Sequence, residues 1–328
     1  MMNEAWHKWA EKKGYRVSFG ELHLLEITRK FLAELKSTNK INDTFYREWL
    51  MRFKSLEESM KESLKSLVLV AIPKPAYELK FEYKGKARTA VFPPTYVDYK
   101  PTFKKIQAEA YAAFGKEKYR IEIIDAPLKS LAVLTGLAQY GRNNIVYVPE
   151  MGSYFQLVGL VTDMILEPEN TKNTLNLQDN LMSMCSGCSA CLKACPTGAI
   201  KEDRILLHAE KCYTPLSERA GELPPHILPP SVECLIGCMK CQAVCPKNIG
   251  KLHFIEAPFE LTADDMNFLM ENFDNKALQW KKICKKFHML KMSENTSIYI
   301  RNLRRLVDVN KRGWAPNITQ KGKPGNGI

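Results

Sequence analysis

The chain has 328 residues, and its 48 basic and 36 acidic side chains give it a formal net charge of +12. A chain of this length can bury a full hydrophobic core, suggests about two domains, and differs from the small secreted domains that depend on disulfides. No apolar run approaches the length of a membrane span, and the first residues carry no secretory or twin-arginine signal. We therefore expect a cytoplasmic protein without a membrane span.

The first part of the chain is predicted to be helical. Apolar residues recur at helical spacing over residues 4–13 and 21–36, and a further helical stretch runs from Asp43 to about Leu64. The period then changes, because residues 66–72 (SLVLVAI) form a continuous branched run that is typical of a buried central strand. A hairpin is predicted to turn at residues 84–86, where Lys-Gly-Lys interrupts an alternating pattern.

Helices and strands alternate in the next part of the chain, which favours a sheet domain with flanking helices. We predict a helix at about 102–115, a strand at 119–127, a short helix to Leu137, and strands at 145–148 and 153–163. Residues 1–168 are therefore assigned to an α/β-like sheet domain, and the predicted fold class is α+β.

Nine of the ten cysteines lie between residues 184 and 248. Four of them have the spacing C-x2-C-x2-C-x3-C before a Pro, and three more repeat the last part of that pattern before a second Pro. This is the run of two-cluster bacterial ferredoxins, in which the fourth Cys binds the other cluster. Zinc sites use paired knuckles instead, and disulfides suit small secreted domains. We predict two [4Fe–4S] clusters in a ferredoxin-like domain at residues 169–255.

The crossover rule divides the cysteines into two sets. The first cluster takes Cys185, Cys188, Cys191 and Cys245. The second takes Cys195, Cys238, Cys241 and one further thiolate. A symmetric repeat would place that thiolate at position 235, which is Leu235. The candidates are Cys234, one residue out of register, and Cys212 in the connector. A hairpin predicted from residue 200 to residue 207 would return Cys212 to the cluster, which favours Cys212.

The C-terminal part of the chain is predicted to be helical and basic. We predict three helices, at about 260–273, 275–290 and 294–309, with Thr262 as an N-cap. Without a sheet partner they are typical of a helical-repeat segment, which we assign to residues 256–310, followed by a flexible basic tail at 311–328. The basic residues concentrate here, which indicates either a phosphate-rich partner or an ordinary solvated surface.

The sheet domain has no short cofactor motif. No G-x-G-x-x-G follows a strand and no Walker lysine motif is present, whereas a flavin site has no dependable motif and stays open. Asp125 is the best acid candidate, because it ends a hydrophobic strand where ligands of open α/β sheets collect. Apolar surroundings would raise its pKa and suit it to proton donation, but it could instead cap the helix after Pro127. Arg142 and Asn143 lie in a polar loop, either as cofactor-binding residues or as an ordinary turn.

The order of these features resembles the epoxyqueuosine reductases and, more distantly, the reductive dehalogenases. The resemblance is carried by residues 124–163 (IDAPLKSLAVLTGLAQYGRNNIVYVPEMGSYFQLVGLVTD) and by the stretches CSGCSACLKACPTGAI, KCYTPLSE and GCMKCQAVCPKN. The trailing segment LTADDMNFLMENF…IYIRNLRRLVD also looks like that family's C-terminal helical repeats. Together these stretches span about 119–309, and residues 1–118 match weakly.

The resemblance implies a base-off cobalamin lodged between the sheet domain and the clusters. Electrons would pass through the clusters to the cobalt, which would reduce the substrate. Asp125 would match the proton-donating acid of the family, and Arg142, Asn143 and Ser153 would contact the cofactor. The KCYTPLSE match also supports Cys212 as the eighth cluster ligand.

The chain departs from the family pattern near the expected pocket. Epoxyqueuosine reductases usually have Gly-Lys-His where this chain has Gly141-Arg142-Asn143, and the FPPTYVDYK loop replaces their Arg-Tyr-Ala…Asp-Tyr-His region. These departures leave the substrate open. The missing twin-arginine signal counts against a respiratory dehalogenase.

Three functional hypotheses result. The first is a cobalamin-dependent iron–sulfur reductase, with tRNA-borne epoxyqueuosine as one candidate substrate and a ferredoxin or flavodoxin as external low-potential electron donor. The second is an electron-transfer protein that reduces the corrinoid or flavin of a partner protein without substrate chemistry of its own. The third is a tRNA-binding module with structural clusters, in which Arg301, Arg304 and Arg305 contact phosphates.

Overall fold

The computed structural model describes residues 2–51, 53, 62–204, 206–223, 234–292 and 296–310, with only the backbone described at 308–310. The predicted basic tail at 311–328 lies outside the described residues, as does most of the second half of the helix predicted from Asp43 to Leu64. Within the described ranges, no helix is long and apolar enough to cross a lipid bilayer.

A four-stranded antiparallel sheet forms the first layer of the fold. Its strands, in spatial order, are β1 (Arg16–Glu21), β2 (Ser66–Pro73), β8 (Phe155–Thr162) and β5 (Ile121–Ile123). The predicted central strand β2 is confirmed, and the strand predicted at 119–127 is much shorter. β1 was not predicted, because RVSFGE has little strand character until β2 pairs with it.

Helices cover both faces of this sheet. The helices are α1 (Met2–Glu11), α2 (His23–Ser37), α3 (Asp43–Phe45), which continues as a wider turn over Tyr46–Leu50, α4 (Tyr99–Phe114) and α5 (Leu128–Leu134). Val68 and Val70 belong to the core that contains residues of α1 and α4, whereas Leu67 and Leu69 belong to the core that contains residues of α2 and α5. Because successive side chains of β2 face opposite covered surfaces, the strand is apolar throughout.

A second lobe joins a hairpin to the C-terminal helices. Its strands are β3 (Ala76–Tyr83), β4 (Lys86–Phe92) and β9 (Phe254–Glu256), and β9 lies parallel to β3. Its helices are α9 (Ala263–Glu271), α10 (Leu278–His288) and α11 (Thr296–Asn310). The predicted hairpin and the predicted Thr262 cap are confirmed, and Asp265 completes a capping box. The expectation that these helices lack a sheet partner was wrong, because Phe81 and Phe92 of the hairpin share a core with Phe287 and Tyr299.

The cysteine segment lies between these two parts and has little regular structure. A short ribbon of β6 (Gln139–Tyr140) and β7 (Val146–Tyr147) approaches it from the sheet domain. The segment contains the helices α6 (Ala190–Ala194), α7 (Tyr213–Glu218) and α8 (Lys240–Ala243). The predicted α+β fold class is therefore confirmed. The hairpin at 76–92 nevertheless shares its core with the C-terminal helices rather than with the central sheet.

Candidate functional site

Four thiols line one cavity beside the β6–β7 ribbon. They belong to Cys185, Cys188, Cys191 and Cys245, the set predicted for the first cluster. The cavity is partly open to solvent. The turn residues Gly141, Arg142 and Asn143, together with Tyr147, complete much of its wall. Two distant segments of the chain thus bring these four predicted ligands around one space.

These four thiols form an electrostatically coupled set. Burial, and then the neighbouring Cys185 and Cys188, raise the pKa of Cys191 to about 11. Burial also raises the pKa of Cys185, with Cys245 adding to the effect. Thiols crowded in this way ionise together when a metal centre takes up their charge, which is the chemistry of iron–sulfur ligation.

A second set of thiols is grouped by the same interactions. Burial, with contributions from Cys212 and Cys195, raises the pKa of Cys238 to about 12. Burial raises the pKa of Cys241, again with Cys238 and Cys212 contributing. Cys195 differs, because hydrogen bonds from the backbone N–H of Ile200 and its neighbours outweigh burial and lower its pKa. Such N–H groups favour a thiolate at this position.

Cys212, rather than Cys234, is placed with the second set. The loop before Cys212 closes through a hydrogen bond from His208 N to Ala199 O (2.8 Å), so the chain returns as predicted. The predicted hairpin at 200–207 is wrong, since its described residues form no strand. Cys234 is only 1% exposed and packs in an apolar group with Val91. This placement supports the prediction that Cys212 is the eighth ligand.

The two sets of thiols are neighbours. Cys191 of the first set is among the groups that raise the pKa of Cys241 in the second set. Within the described ranges, no three His, Cys, Asp or Glu side chains are arranged to hold a single metal ion. The interpretation of the two sets as cluster ligands rests on their spacing and grouping.

The side chains of Arg142 and Asn143 bind the cysteine loops. Arg142 donates to the carbonyl oxygens of Cys185 (3.2 Å) and Glu202 (3.4 Å), while its buried Nε has no hydrogen-bond partner among the described residues. Asn143 Nδ2 donates to the Tyr147 hydroxyl (2.8 Å) and to Cys241 O (3.3 Å). The structure therefore places both residues beside the cysteine sets, with most of their donors already used.

Ser153 is also engaged within the protein. Its hydroxyl donates to Gln242 Oε1 (2.8 Å) and accepts from Asn248 Nδ2 (2.8 Å), and its side chain is buried. The neighbouring position 152 requires a glycine, because the φ of Gly152 is +74° and a Cβ there would lie 2.5 Å from Asn248 Oδ1. The hydrogen bonds of Ser153 thus connect the residues before β8 to the segment that contains Cys241 and Cys245.

Asp125 lies in a different environment from the one predicted. Its side chain is exposed rather than surrounded by apolar residues, and it forms no hydrogen bond or ion pair with any described residue. It does not cap α5, whose N-cap position is Pro127. The argument from open α/β sheets also fails, because β5 is an edge strand antiparallel to β8. The catalytic role of Asp125 stays a prediction.

Lys129 follows Asp125 by four residues and lies near the second thiol set. Its side chain reaches solvent, while neighbouring protein atoms displace part of the water around it. Its ammonium donates to Asn144 O (3.3 Å). Loss of hydration lowers the pKa of Lys129, and the Cys212 and Cys241 thiolates oppose that shift. A lysine cation is therefore within electrostatic reach of the predicted second cluster.

Sequence reasoning missed four residues of this site, namely Tyr147, Lys129, Gln242 and Asn248. Tyr147 and Lys129 belong to the sheet domain, whereas Gln242 and Asn248 follow cluster cysteines in the chain. Their contacts join the sheet domain to the cysteine segment. No local spacing could have revealed them, because the contacts exist only once the sheet domain packs against the cysteine loops.

Comparisons with known proteins support the cysteine interpretation. A family model for a 4Fe-4S double cluster binding domain matches residues 184–248. The epoxyqueuosine reductase of Bacillus subtilis (strain 168) is 34% identical over 123 residues, which cover 38% of this chain and 29% of that protein. The epoxyqueuosine reductase of Cyclobacterium marinum is 28% identical over 192 residues, 54% of this chain and 59% of that protein. This chain resembles the epoxyqueuosine reductases. The resemblance predicted from the sequence is confirmed, although each of these two matches spans less than two thirds of the relative.

Solved structures of epoxyqueuosine reductases share the fold. The structure from Streptococcus thermophilus has a TM-score of 0.65 at 20% identity, covering 95% of this chain and 82% of that chain. A crystal structure with a tRNA-Tyr epoxyqueuosine-modified tRNA stem loop has a TM-score of 0.56 at 21% identity, covering 76% and 66%. The likeness to epoxyqueuosine reductases thus extends over nearly the whole fold, including the N-terminal part that matches weakly in sequence.

Proposed function

We propose that this chain is an iron–sulfur oxidoreductase of the epoxyqueuosine reductase type, in which two [4Fe–4S] clusters pass electrons toward a cofactor-binding cleft that we place at Lys129. The observation that carries the proposal is the adjacency of two four-cysteine sets, with Cys191 of one within electrostatic reach of Cys241 of the other. Neighbouring clusters form a relay for single electrons.

The surroundings of the two sets give the relay a direction. The cavity of the first set opens to solvent, where an external low-potential donor of ferredoxin or flavodoxin type can approach. The second set lies near Lys129 and therefore near the cleft. Electrons would enter at the first cluster and leave from the second.

The cofactor proposed for the cleft is a base-off corrinoid. Asn143 and Ser153 fit this role poorly, because their side chains are buried and hydrogen-bonded within the protein. Lys129 fits it better, because its exposed ammonium retains donors that suit the phosphate and amide groups of a corrinoid. When bound, a corrinoid would supply a cobalt centre able to deliver the cluster electrons to a substrate.

Asp125 would supply a proton to the reduced substrate. Its carboxyl group is exposed and forms no hydrogen bond or ion pair with a described residue, so a bound molecule can approach it. Its position four residues before Lys129 would place it at the mouth of the same cleft.

The proposed substrate is a modified nucleoside carried by tRNA. One structural relative was crystallised with an epoxyqueuosine-modified tRNA stem loop. On α10 of this chain, Lys281, Lys282 and Lys285 are exposed and give one face of the helix a positive charge. The arginines first predicted for phosphate contact have other roles, since Arg301, Arg304 and Arg305 donate to backbone carbonyls.

The decisive experiment for the cofactor is a corrinoid titration of the anaerobically reconstituted protein, followed by absorbance. We expect saturable binding at micromolar concentration and cobalt reduction when a low-potential donor is added. Absence of binding would rule out the corrinoid reductase. If the protein instead reduced the corrinoid of an added partner protein, it would be an electron-transfer protein.

The experiment for the acid is turnover by Asp125→Asn. We expect product formation to be abolished while cluster absorbance and corrinoid binding persist, because the amide cannot donate the proton. Glu117→Gln is a matched control, since Glu117 is also exposed but lies beyond the end of α4. Unchanged turnover in Asp125→Asn would remove this residue from the mechanism.

The experiment for RNA is the salt dependence of binding to a tRNA stem loop. Replacing Lys281, Lys282 and Lys285 by Gln should lower the slope of log affinity against log salt by about 0.7 to 0.9 for each lost phosphate contact. The same change at three exposed lysines of the sheet domain should not alter the slope. These control positions are Lys12, Lys104 and Lys116. Equal effects of both triple variants would exclude α10 as the RNA-binding face.

A further inference from the structure

Tyr147 is a buried phenol beside the first thiol set, and the proposed mechanism does not use it. Its side chain is 3% exposed and packs with Met182 and Cys185. The Cys245 thiol packs against the same group and lines the same cavity as the Tyr147 ring. Cys245 is the one member of the first set that comes from the second cysteine run. Tyr147 therefore lies beside the thiol that joins the two runs.

The orientation of the Tyr147 hydroxyl is fixed by Asn143. The backbone N–H of Ile145 donates to Asn143 Oδ1 (3.2 Å), so the oxygen of this amide faces Ile145. Its nitrogen must then face the Tyr147 hydroxyl and Cys241 O, and it donates to both. Since the phenol oxygen accepts this bond, its own proton is free to be donated to the Cys245 sulfur.

Gly141 makes this arrangement possible. A Cβ at position 141 would lie 2.6 Å from Tyr147 Cε2 and 2.7 Å from Asn143 Oδ1. Any side chain there would push the ring or the amide away from its present position. The tip of the β6–β7 ribbon is thus built to hold the phenol and the amide together.

We infer that Tyr147 donates a hydrogen bond to the Cys245 thiolate of the first cluster and thereby raises the reduction potential of that cluster, with Asn143 as the positioning residue. This inference rests on the two clusters of the proposed function. Reduction adds negative charge that spreads onto the cluster sulfurs, so a donor to sulfur stabilises the reduced state more than the oxidised state.

The surroundings of the hydroxyl strengthen this effect. Asn143 is also only 3% exposed, so water competes little for either hydrogen bond, and hydrogen bonds in a low-dielectric interior are strong. A phenol is protonated at neutral pH, so Tyr147 has a proton to donate. A higher potential at the first cluster would ease its loading by the external donor.

The test is an EPR-monitored redox titration of reconstituted Tyr147→Phe, which keeps the ring and its packing. We expect unchanged iron content and a lower midpoint potential for the cluster bound by Cys185, Cys188, Cys191 and Cys245. The ratio of reduced to oxidised cluster at fixed potential should fall about tenfold, which is about 59 mV for a one-electron couple. A parallel titration of Cys212→Ser, which removes a ligand from the other set, identifies the signal.

Tyr154→Phe is the matched control. Tyr154 is equally buried, but it packs with Cys234 and Met239 and not in the group that contains Tyr147 and Cys185. This variant should leave the first-cluster potential unchanged. An unchanged potential in Tyr147→Phe, an equal shift of both clusters, or the same shift in Tyr154→Phe would overturn the inference. Absence of a cluster in wild-type protein would instead overturn the proposed function.

The role of Asn143 is tested by a double-mutant cycle. Asn143→Ala alone should lower the first-cluster potential, because the phenol loses its fixed orientation. In the Tyr147→Phe background the same change should have no further effect on that potential. An additive shift would mean that Asn143 acts independently of Tyr147, and the positioning role would be lost.

Discussion

At the level of single residues, Cys212 and Cys234 are the two thiols that the cysteine pattern could not separate. Cys212→Ser should lower the iron content from about eight to about four atoms per chain, because the second set loses one of its four thiolates. Cys234→Ala should retain the iron, since Cys234 packs among apolar residues that accept a methyl group. Iron and acid-labile sulfide assays after anaerobic reconstitution measure both. The reverse pattern would transfer the eighth ligand to Cys234.

Lys129 provides a second test at this level. Lys129→Gln should lower the midpoint potential of the second cluster, because a nearby cation stabilises the added electron. Lys193→Gln removes the same charge from an exposed position on α6, where solvent and salt screen it, and should have a smaller effect. Redox titration of both variants makes the comparison. Equal shifts would show that net charge, and not the cleft, sets the potential.

Functional residues could be predicted from the sequence where they belong to a short local motif, as the cysteines do. The cysteine spacing predicted which thiols group together, because the loops that hold them are short. Asp125 was placed by a parallel-sheet argument that the antiparallel pairing of β5 with β8 removes. Lys129 and Tyr147 had no local signal, since their partners lie far away in the chain.

At the level of elements, the cap of α9 is a feature that sequence predicted and structure confirmed. Thr262 accepts a hydrogen bond from Asp265 N (3.2 Å), and the Asp265 carboxylate accepts from Thr262 N (3.2 Å). Thr262→Ala should lower the free energy of unfolding by about 1 kcal/mol, whereas Thr262→Ser should preserve it. Thermal unfolding followed by circular dichroism measures both variants. Equal stability of Thr262→Ala and wild type would mean that packing alone holds α9.

Strand identity was harder to predict than helix identity. β2 can be recognised from its own sequence, which is a continuous run of branched apolar residues. β1 lacks such a run and is a strand because it pairs with the edge of β2. The direction of the strands could not be predicted either. Between β2 and β8 the chain leaves to form the β3–β4 hairpin and returns in the opposite direction, which makes the pair antiparallel.

At the level of the whole molecule, the C-terminal helices support the cysteine segment. The Arg301 guanidinium donates to the carbonyl oxygens of Ser217, Arg219 and Gly221, at and beyond the end of α7. α7 begins directly after Cys212. Arg301→Ala should therefore loosen the second cluster and accelerate iron loss to a chelator by about tenfold, the effect of losing hydrogen bonds to a charged group.

Arg304→Ala is the control for this prediction. Arg304 Nε donates to Leu269 O (2.9 Å), and its guanidinium lies 4.8 Å from the centroid of the Phe273 ring, so its contacts stay within the C-terminal lobe. This variant should release iron at the wild-type rate. Equal acceleration in both variants would mean that general destabilisation, and not the link to α7, governs iron retention.

The parallel strand β9 has a consequence for the order of synthesis. Ala76 of β3 pairs with Phe254 of β9, and Phe254 leaves the ribosome only after every cluster cysteine has been made. Until then one edge of β3 is unpaired, and long-range pairing of this kind is slow compared with local folding. The cysteine loops are thus complete before the second lobe closes on them. We expect the clusters to be inserted after the last cluster cysteine is made and before β9 pairs with β3. Packing of the second lobe against the cysteine loops would then follow cluster insertion.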